Sequence, residues 1–442
     1  MKIFKKNLLL LIILLIVGSF YFYQVKIASK KKKNEEKKLF VFEKEKIKGI
    51  LIKNDDKEIE IVNENGLWKI KGKNYECDKN EIESLINKIL SLEIERNIGT
   101  VDDLSIYGLS SSEKQIEIQK DGEKFILYIG DETPSSSYLY TTKDKKEVLL
   151  VYKWDLDSIL GKNIFDLRDK RIIPVDITKE DIEEIEVNKK NKTILLKRSG
   201  ERWYIESPLK DIANREKIER VVGNIIDGEV KEFEELKTEK ECGLERPEST
   251  IKLKTKDSNY FIYLGKKKEN LYYAKNSLKP YIFLADDKIV DDIPDEINEL
   301  REKKLFDIDV SEVEEFSIIK KDKELKFKKE KDSYFLEGEK TKKISKDKVE
   351  EFLHDLKYLE IKDFIEYSEK NLKDFQLSPP LIKIIVYTEG TKTEVHFGKK
   401  TENYIYCYSP ERKSIFTIPS SDYSRIDKDE GFFVEEKKRK NE

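Results

Sequence analysis

The residue types that most often carry acid–base or nucleophilic chemistry are scarce in this sequence. Histidine is the commonest general base and cysteine a strong nucleophile. His354 falls off the apolar stripe of a predicted helix and is expected on the surface, whereas His396 takes a strand position that tyrosine takes in two related segments. Cys77 precedes a predicted helix, Cys242 lies in a predicted turn and Cys407 in a predicted strand, so no shared thiol chemistry is indicated. We predict no catalytic residue and no enzymatic activity.

A metal or cofactor site is not predicted either. The acidic run at 427–431 resembles a calcium loop only at its start, because the spaced third ligand and the distal glutamate are missing. The sequence has no phosphate-binding glycine loop and no G-x-S-x-G nucleophile elbow. We therefore expect no bound metal and no cofactor.

Tyrosines recur shortly after one predicted strand of each repeated segment, and they form the candidate interaction surface. Aromatic side chains are favoured in contacts with glycans and proteins. The alternative is that these tyrosines pack on the one buried face of a strand. The candidate residues are Tyr138, Tyr140, Tyr272, Tyr273, Tyr404 and Tyr406, with Tyr408 beside them.

The charge pattern argues against a nucleic-acid partner. Lysine and arginine (87) nearly balance aspartate and glutamate (90), and the formal net charge is −3. A nucleic-acid binder normally carries a basic excess or a basic stripe. Here lysines alternate with glutamates throughout, which is typical of a solvated surface.

An apolar run near the N-terminus predicts a single membrane anchor over residues 1–25, followed by a charged tether over 26–41. Residues 7–23 would form about 26 Å of helix, which is close to the bilayer core of about 30 Å. A cleaved signal peptide is the alternative, although Val17-Gly18-Ser19 is the nearest cleavage site and bulky aromatics follow it. A short N-terminus before a long domain is typical of a signal anchor, so we expect a cytoplasmic N-terminus and an extracytoplasmic remainder. The lysines at 26–38 oppose this orientation, but long domains translocate largely regardless of charge.

Internal repeats dominate the rest of the chain. An aromatic residue after a turn recurs as Trp68, Trp203 and Tyr334, spaced 135 and 131 residues apart. A second landmark is the turn Tyr107-Gly108-Leu109, Cys242-Gly243-Leu244 and Phe375-Gln376-Leu377. A third is the strand end Ile129-Gly130, Leu264-Gly265 and Phe397-Gly398, spaced 135 and 133 residues apart. Two segments end on Leu167-Arg168-Asp169-Lys170 and Leu300-Arg301-Glu302-Lys303.

One amphipathic helix is predicted in each repeat. Apolar residues recur at steps of 0, 3, 4 and 7, which is one face of a helix. A cap-type residue stands four positions before each stripe: Asp78, Asn214 and Ser345. The stripes are Ile82, Leu85, Ile86, Ile89 and Leu90, then Ile218, Val221, Val222, Ile225 and Ile226, then Val349, Phe352, Leu353 and Leu356; the first two have a further residue at step 8.

Short β-branched and aromatic runs separated by polar turns predict strands around these helices. The fold class is therefore α+β, with three tandem β-rich modules, each with one principal helix. In the first module we predict strands at 50–52, 58–62, 67–70, 115–119, 124–129, 138–140 and 148–152, and a short helix at 154–160. The predicted modules are 42–172, 173–306 and 307–436, and a disordered tail follows at 437–442.

These repeated residues resemble the bacterial domain of unknown function 4340 family, and the resemblance covers about 42–435. The family pattern has a proline soon after the repeated turn. Pro247 and Pro379 fit this pattern, but the first module has Ser112 in the corresponding place. In the third module Gln376 replaces the turn glycine. The third module also lacks the Leu-Arg-Asp-Lys ending. The resemblance implies an accessory membrane protein beside an ABC-type transporter of the gliding-motility or auxiliary-transport kind, and it implies no known activity.

Three functional hypotheses follow from the sequence. The first is a non-catalytic, membrane-anchored extracytoplasmic interaction protein, accessory to an ABC-type transport system. The second is an extracytoplasmic protein that binds a glycan or a lipid through the tyrosines. The third is a cell-envelope enzyme whose carboxylates cannot be located among 90 acidic residues.

Overall fold

The computed structural model describes residues 37–435, apart from 56, 74, 322 and 340. The predicted anchor at 1–25, most of the tether and the tail at 437–442 lie outside the described residues. Among the residues described, no helix is both long enough and apolar enough to cross a membrane.

The first module is one antiparallel sheet that curves around a single long helix. Its strand order is β4-β3-β2-β1-β6-β7-β8-β9-β5. The predicted strands all lie within observed ones, and the structure adds the edge strands β4 and β5. The strands are β1 (Ile47–Asn54), β2 (Lys57–Glu64), β3 (Leu67–Ile70), β4 (Tyr75–Glu76), β5 (Arg96–Thr100), β6 (Lys114–Lys120), β7 (Glu123–Glu132), β8 (Tyr138–Thr142) and β9 (Glu147–Tyr152). The helices are α1 (Lys79–Ser91), α2 (Lys153–Leu160) and α3 (Ile164–Leu167).

The second module repeats this topology, with the strand order β13-β12-β11-β10-β15-β16-β17-β18-β14. Its strands are β10 (Glu184–Lys189), β11 (Lys192–Ser199), β12 (Arg202–Ser207), β13 (Asp211–Ile212), β14 (Val230–Glu234), β15 (Ser249–Lys254), β16 (Asn259–Lys268), β17 (Leu271–Asn276) and β18 (Ile282–Asp286). Its helices are α4 (Arg215–Ile226), α5 (Glu239–Cys242) and α6 (Lys288–Asp291). Cys242 therefore ends a short helix and does not lie in a simple turn.

The third module has eight strands in the order β21-β20-β19-β23-β24-β25-β26-β22. Its strands are β19 (Val313–Lys320), β20 (Lys323–Glu330), β21 (Ser333–Leu336), β22 (Asp363–Ile365), β23 (Ile382–Thr388), β24 (Thr391–Lys400), β25 (Tyr404–Ser409) and β26 (Ser414–Pro419). Its helices are α7 (Lys346–Lys357), α8 (Glu369–Asp374), α9 (Tyr423–Ile426) and α10 (Glu430–Phe433).

The principal helices α1, α4 and α7 begin at the predicted caps. Asp78 accepts hydrogen bonds from the backbone N–H of Asn80 and Glu81, at 2.8 and 3.1 Å. Asn214 and Ser345 accept equivalent bonds from residues three positions later. In each module the helix lies in sequence between the two edge strands of the sheet, so its segment must cross the whole inner face. Twelve of the fourteen apolar residues of the predicted stripes are buried there, and Leu90 and Ile226 are partly buried. Their burial contributes hydrophobic stabilisation to each module.

The end of each module returns to its principal helix. The N–H groups of Asp78, Asn214 and Ser345 donate to the carbonyls of Leu167, Leu300 and Phe433, at 2.9, 2.7 and 2.8 Å. Isolated bridges then pair Cys77 with Arg168, Ala213 with Arg301 and Ile344 with Val434. The third module thus keeps the backbone pairing of the ending, but Val434 stands where the other modules have arginine.

The first two tryptophans occupy equivalent strands but differ in burial. Trp203 on β12 is only 2% exposed. Trp68 on β3 is partly buried at the edge of its core. β3 ends at Ile70, whereas β12 continues to Ser207.

The chain folds into two compact units. The first ends at Lys170, and the second begins at Arg171 and contains both the second and the third sheet. The second and third modules therefore belong to one compact unit, whereas the first module forms a unit of its own.

Candidate interaction surface

The repeated turn and the repeated strand glycine form one structural feature on the outer face, which is the face of each sheet opposite its principal helix. The turn residues Gly108, Gly243 and Gln376 have φ of 68°, 76° and 54°, a left-handed conformation that favours glycine. The carbonyl oxygen before each of them faces the strand glycine so closely that a side chain could not fit. A Cβ would lie 2.1 Å from Tyr107 O at Gly130, 2.2 Å from Cys242 O at Gly265 and 2.2 Å from Phe375 O at Gly398.

Strand register shows which of the candidate tyrosines are equivalent. Tyr128 pairs with Thr142, Tyr263 with Lys275 and His396 with Tyr408. Counting back two residues from each partner makes Tyr140, Tyr273 and Tyr406 equivalent, all on the outer face. Tyr138 and Tyr404 are likewise equivalent, and Leu271 takes this place in the second module.

Tyr272 corrects the predicted surface, because it does not share the outer face with the other candidates. Its position is equivalent to Leu139 and Ile405, which are buried on the core side. The Tyr272 side chain packs against the core of the second module, and its hydroxyl donates to Asp291 at 3.1 Å.

The middle tyrosine of each outer face packs against the turn that covers that face. The rings of Tyr140 and Tyr107 meet edge to face at 4.8 Å, and the rings of Tyr406 and Phe375 stack at 3.9 Å. Tyr273 is 7% exposed and packs beside Cys242. The outer faces therefore carry a small second core, with further aromatic rings at its margin.

The third module has the richest group of such rings, which we call the aromatic cluster: Tyr367, Phe375, Tyr404, Tyr406 and Tyr408. Tyr404 meets Tyr406 at 5.2 Å, and Tyr408 stacks on Tyr367 at 5.8 Å. Burial raises the pKa of Tyr408 to about 12, and a hydrogen bond with Tyr367 adds to the effect. All five rings remain partly or largely accessible, so the cluster can contact another molecule.

His396 and Glu394 lie beside the aromatic cluster on β24. The Nε2 atom of His396 is 2.7 Å from the Glu394 carboxylate, and Nδ1 is 3.2 Å from Leu377 O. Burial of Glu394 opposes ionisation, but hydrogen bonds from Lys392 and His396 overcome it and lower the pKa of Glu394 to about 2. Lys392 and Lys383 also contact the Glu394 carboxylate, at 2.6 and 3.6 Å, so a paired carboxylate lies next to the aromatic rings. His354, by contrast, is exposed on α7 as predicted.

The three cysteines are free thiols, and all are buried. Burial raises the pKa of Cys77 to about 12 and raises the pKa values of Cys242 and Cys407 as well. A thiol that resists ionisation is a poor nucleophile and a poor metal ligand.

The carboxylates of the acidic run 427–431 are bound by lysines from the sheet. Lys320 contacts Asp427 at 2.5 Å and Asp429 at 3.0 Å, and Lys323 contacts Glu430 at 3.1 Å. Within the described part of the chain, no group of three or more His, Cys, Asp or Glu side chains is arranged to hold a metal ion.

A buried ion cluster joins the second and third modules, and sequence analysis missed it. The Asp211 carboxylate accepts from Arg301 Nε at 2.5 Å and from Arg412 Nε at 2.6 Å. The side chains of Asp211, Arg301 and Arg412 are 0%, 7% and 5% exposed. Burial lowers the pKa of Arg301, and the charge of Asp211 opposes that effect. We call these three residues the interdomain ion cluster.

Neighbouring groups complete this junction. Arg301 also donates to Asn298 and to the Ser414 hydroxyl, and its guanidinium lies 3.5 Å from the centre of the Phe364 ring. Arg412 donates to Glu302 O at 2.8 Å. In the first module the equivalent Arg168 lies 3.5 Å over the ring of Tyr75. The repeated arginine was visible in the sequence, but its partners are about 90 and 110 residues away.

Comparison with solved structures gives only remote likenesses. The chain is similar to the DNA polymerase III subunit beta from Borrelia burgdorferi, with 9% identity and a TM-score of 0.16, covering 89% of this chain and 95% of that one. It is similar in the same way to a putative DNA polymerase III beta subunit from Eubacterium rectale, with 10% identity and a TM-score of 0.14, covering 86% and 92%. Such scores support no inference about fold or function. No curated protein matches the sequence.

Comparison with protein families gives a consistent result across the modules. The family described as Domain of unknown function (DUF4340) matches three times, at residues 68–211, 203–368 and 336–437. The first two matches begin at the equivalent residues Trp68 and Trp203. Together the three matches cover most of the sequence and follow its internal repeat. The chain belongs to the DUF4340 family.

Proposed function

We propose that this chain is a non-catalytic, membrane-anchored extracytoplasmic interaction protein, accessory to an ABC-type transport system. Three observations support the proposal: the apolar N-terminal run, the repeated module and the family membership. The transport partner comes from the family resemblance alone. In this proposal the described modules contact the transport system, and the anchor confines them to the same membrane as that partner.

Within the described modules, the interdomain ion cluster is the observation that supports a role in contact. Buried charges bound on several sides fix one arrangement of their neighbours, because any other arrangement leaves a charge without its partner. The second and third modules would therefore present their surfaces together with little loss of freedom on binding. Rigid presentation raises affinity by reducing the entropy lost in the complex.

The aromatic cluster is the surface that we assign to the partner. Tyrosine and phenylalanine are enriched in protein interfaces because they bury a large area at low entropic cost. Tyr367, 40% exposed, lies at the accessible margin of the cluster.

Two measurements test this proposal. Asp257 is exposed in the turn between β15 and β16, so an Asp257→Cys variant should react with a membrane-impermeant maleimide in intact cells. The buried native cysteines should leave the wild type unlabelled. Labelling of the variant only after lysis would reverse the proposed orientation.

The partner is tested by co-purification in mild detergent. The wild type should retain a transporter subunit, and a Tyr367→Ala, Tyr404→Ala variant should lose it. The matched control is Tyr358→Ala, an exposed tyrosine at the end of α7. Equal retention by all three proteins, or no transporter subunit with any of them, would contradict the proposal.

A second candidate function is glycan binding, which the aromatic cluster also favours. Sugar rings stack on aromatic faces, and Tyr404 and Tyr406 place two hydroxyls 3.4 Å apart. Calorimetric titration of the full chain with soluble cell-wall fragments tests it. Saturable heat that disappears in the Tyr367→Ala, Tyr404→Ala variant would favour glycan binding over a protein partner.

A further inference from the structure

Three aromatic residues lie at or beside the corner where β9 passes into α2 in the first module. Trp154, in the first turn of α2, is 81% exposed, and Tyr152, at the end of β9, is 45% exposed. The Tyr152 ring lies 4.8 Å from the ring of Tyr138, its partner across the strands. A tryptophan this exposed gains nothing from the module's own core. We call these three residues the aromatic foot.

The described chain begins near the same corner. The carbonyl of Lys37 accepts a hydrogen bond from Ile94 N at 2.6 Å, and the next residue, Glu95, donates to Leu150 O at 2.9 Å. Leu150 lies on β9, two residues before Tyr152. The N-terminal segment therefore leads to the strand that carries the aromatic foot.

The length of that segment limits how far the corner can lie from a membrane. The apolar run ends at Tyr23, so 13 residues, 24–36, separate it from Lys37. Thirteen residues span at most about 45 Å when fully extended. An anchor at 1–25 would thus keep the aromatic foot within reach of the lipid surface.

We propose that the aromatic foot docks the first module on the headgroup layer of the membrane that the anchor crosses. This inference rests on the anchor in the proposed function. Tryptophan and tyrosine favour the bilayer interface because each combines an apolar ring with a polar group. Tethering makes a weak contact sufficient, since the foot and the lipid share a high local concentration.

The charges around the foot bear on the kind of lipid surface that it would contact. Asp155 and Asp157 are exposed on the same helix as Trp154. Lys153 follows β9 directly in the sequence, and it forms a salt bridge with Glu132. Arg96 is exposed on β5 and pairs with Leu150 of β9, so the charges beside the foot are mixed in sign. The contact therefore depends on the aromatic rings, and a zwitterionic headgroup layer suits it.

Fluorescence of the full chain in phosphatidylcholine vesicles tests the docking. Bromine atoms on the lipid chains just below the headgroups quench tryptophan at short range. The chain has three tryptophans, Trp68, Trp154 and Trp203. Brominated lipid should quench the wild type, and Trp154→Phe should abolish that quenching because Trp203 is buried and Trp68 packs on its own core. A Tyr138→Ser, Tyr152→Ser variant should show weaker quenching of Trp154.

Flotation of the same vesicles separates failure of this inference from failure of the proposed function. Protein that floats with the vesicles while its emission is equal in brominated and plain lipid would overturn the docking and leave the anchor intact. Protein that does not float would overturn the anchor and the docking together. Quenching that persists in Trp154→Phe would also overturn the role assigned to the foot.

Discussion

The carboxylate of Asp211 in the second module accepts two hydrogen bonds from Arg412 in the third, from Nε at 2.6 Å and from Nη2 at 3.1 Å. The two residues are 201 positions apart in the chain, and both side chains are buried. Arg301 contacts the same carboxylate, so one negative charge holds two positive charges. The shared carboxylate links the two modules, as does the backbone hydrogen bond from Leu305 N–H to Leu359 O at 3.1 Å.

Replacing Asp211 by alanine should strongly destabilise the second unit. The change leaves two guanidinium groups buried without their carboxylate, which typically costs about 3–5 kcal/mol. Urea unfolding with hydrogen exchange and mass spectrometry should show earlier unfolding of the second and third modules, with the first module unchanged.

A triple variant is the control for this prediction. Asp211→Leu, Arg301→Met and Arg412→Met together remove every charge of the interdomain ion cluster, and such replacements are often neutral or stabilising. The triple variant should therefore be more stable than Asp211→Ala. If Asp211→Ala lowers the free energy of unfolding by less than about 1 kcal/mol, the interdomain ion cluster does not hold the modules together.

Gly398, the glycine at the repeated strand end of the third module, should tolerate no side chain. In Gly398→Ala the new Cβ would lie 2.2 Å from Phe375 O, a backbone atom, so the turn must shift. Overpacking of this kind costs about 1–3 kcal/mol. Gly431→Ala in the same module is the matched control, because nothing lies within 4 Å of its Cβ. Equal thermal stability of the two variants would refute the close approach.

Replacing the equivalent residues Trp68 and Trp203 by alanine should lower the free energy of unfolding by different amounts. Trp203→Ala removes a fully packed side chain and should cost about 3–5 kcal/mol. Trp68→Ala should cost clearly less, because Trp68 is only partly buried. Chemical denaturation of the two variants measures the difference, and a larger loss for Trp68→Ala would contradict the burial of these two side chains.

The folding stability of the third module should depend on pH through the ionisation of Glu394. Its pKa is lowered from 4.5 to about 2 in the folded protein. The ionised carboxylate therefore stabilises the fold above pH 4.5, and this contribution is lost as the pH falls from 4.5 to about 2. Glu394→Gln should be less stable than the wild type at pH 7, with the difference closing over that range.

Exposed Glu411 in the same module supplies the control for the pH experiment. Glu411→Gln should leave the pH dependence of unfolding unchanged. A difference between Glu394→Gln and the wild type that persists undiminished at pH 2 would show that ionisation of Glu394 is not its source.

Sequence patterns predicted the elements that depend on nearby residues. The helix from Lys79 to Ser91 has a regular apolar stripe and a capping aspartate, so its position followed from spacing alone. The first-module strands were predicted where β-branched residues alternate with polar ones. Strand β5 was missed because its residues are mostly exposed and show no alternation.

Features that depend on register or on distant residues could not be predicted in this way. Tyr272 and Tyr273 are adjacent and must point to opposite faces, but only strand pairing shows which one shares the face of Tyr140. Asp211 lies in a strand of two residues with no distinguishing pattern. Its arginine partners become visible only when the modules pack together.

Photocrosslinking in intact cells tests the central claim that this protein works by contact with a membrane transporter. A photoreactive phenylalanine analogue replaces Tyr367 in the aromatic cluster, and a second variant carries it at Tyr358, which is 67% exposed at the end of α7. We expect a crosslink from position 367 to an ABC transporter subunit and none from position 358. Equal crosslinking from both positions, or none to a transport protein from 367, would contradict the claim.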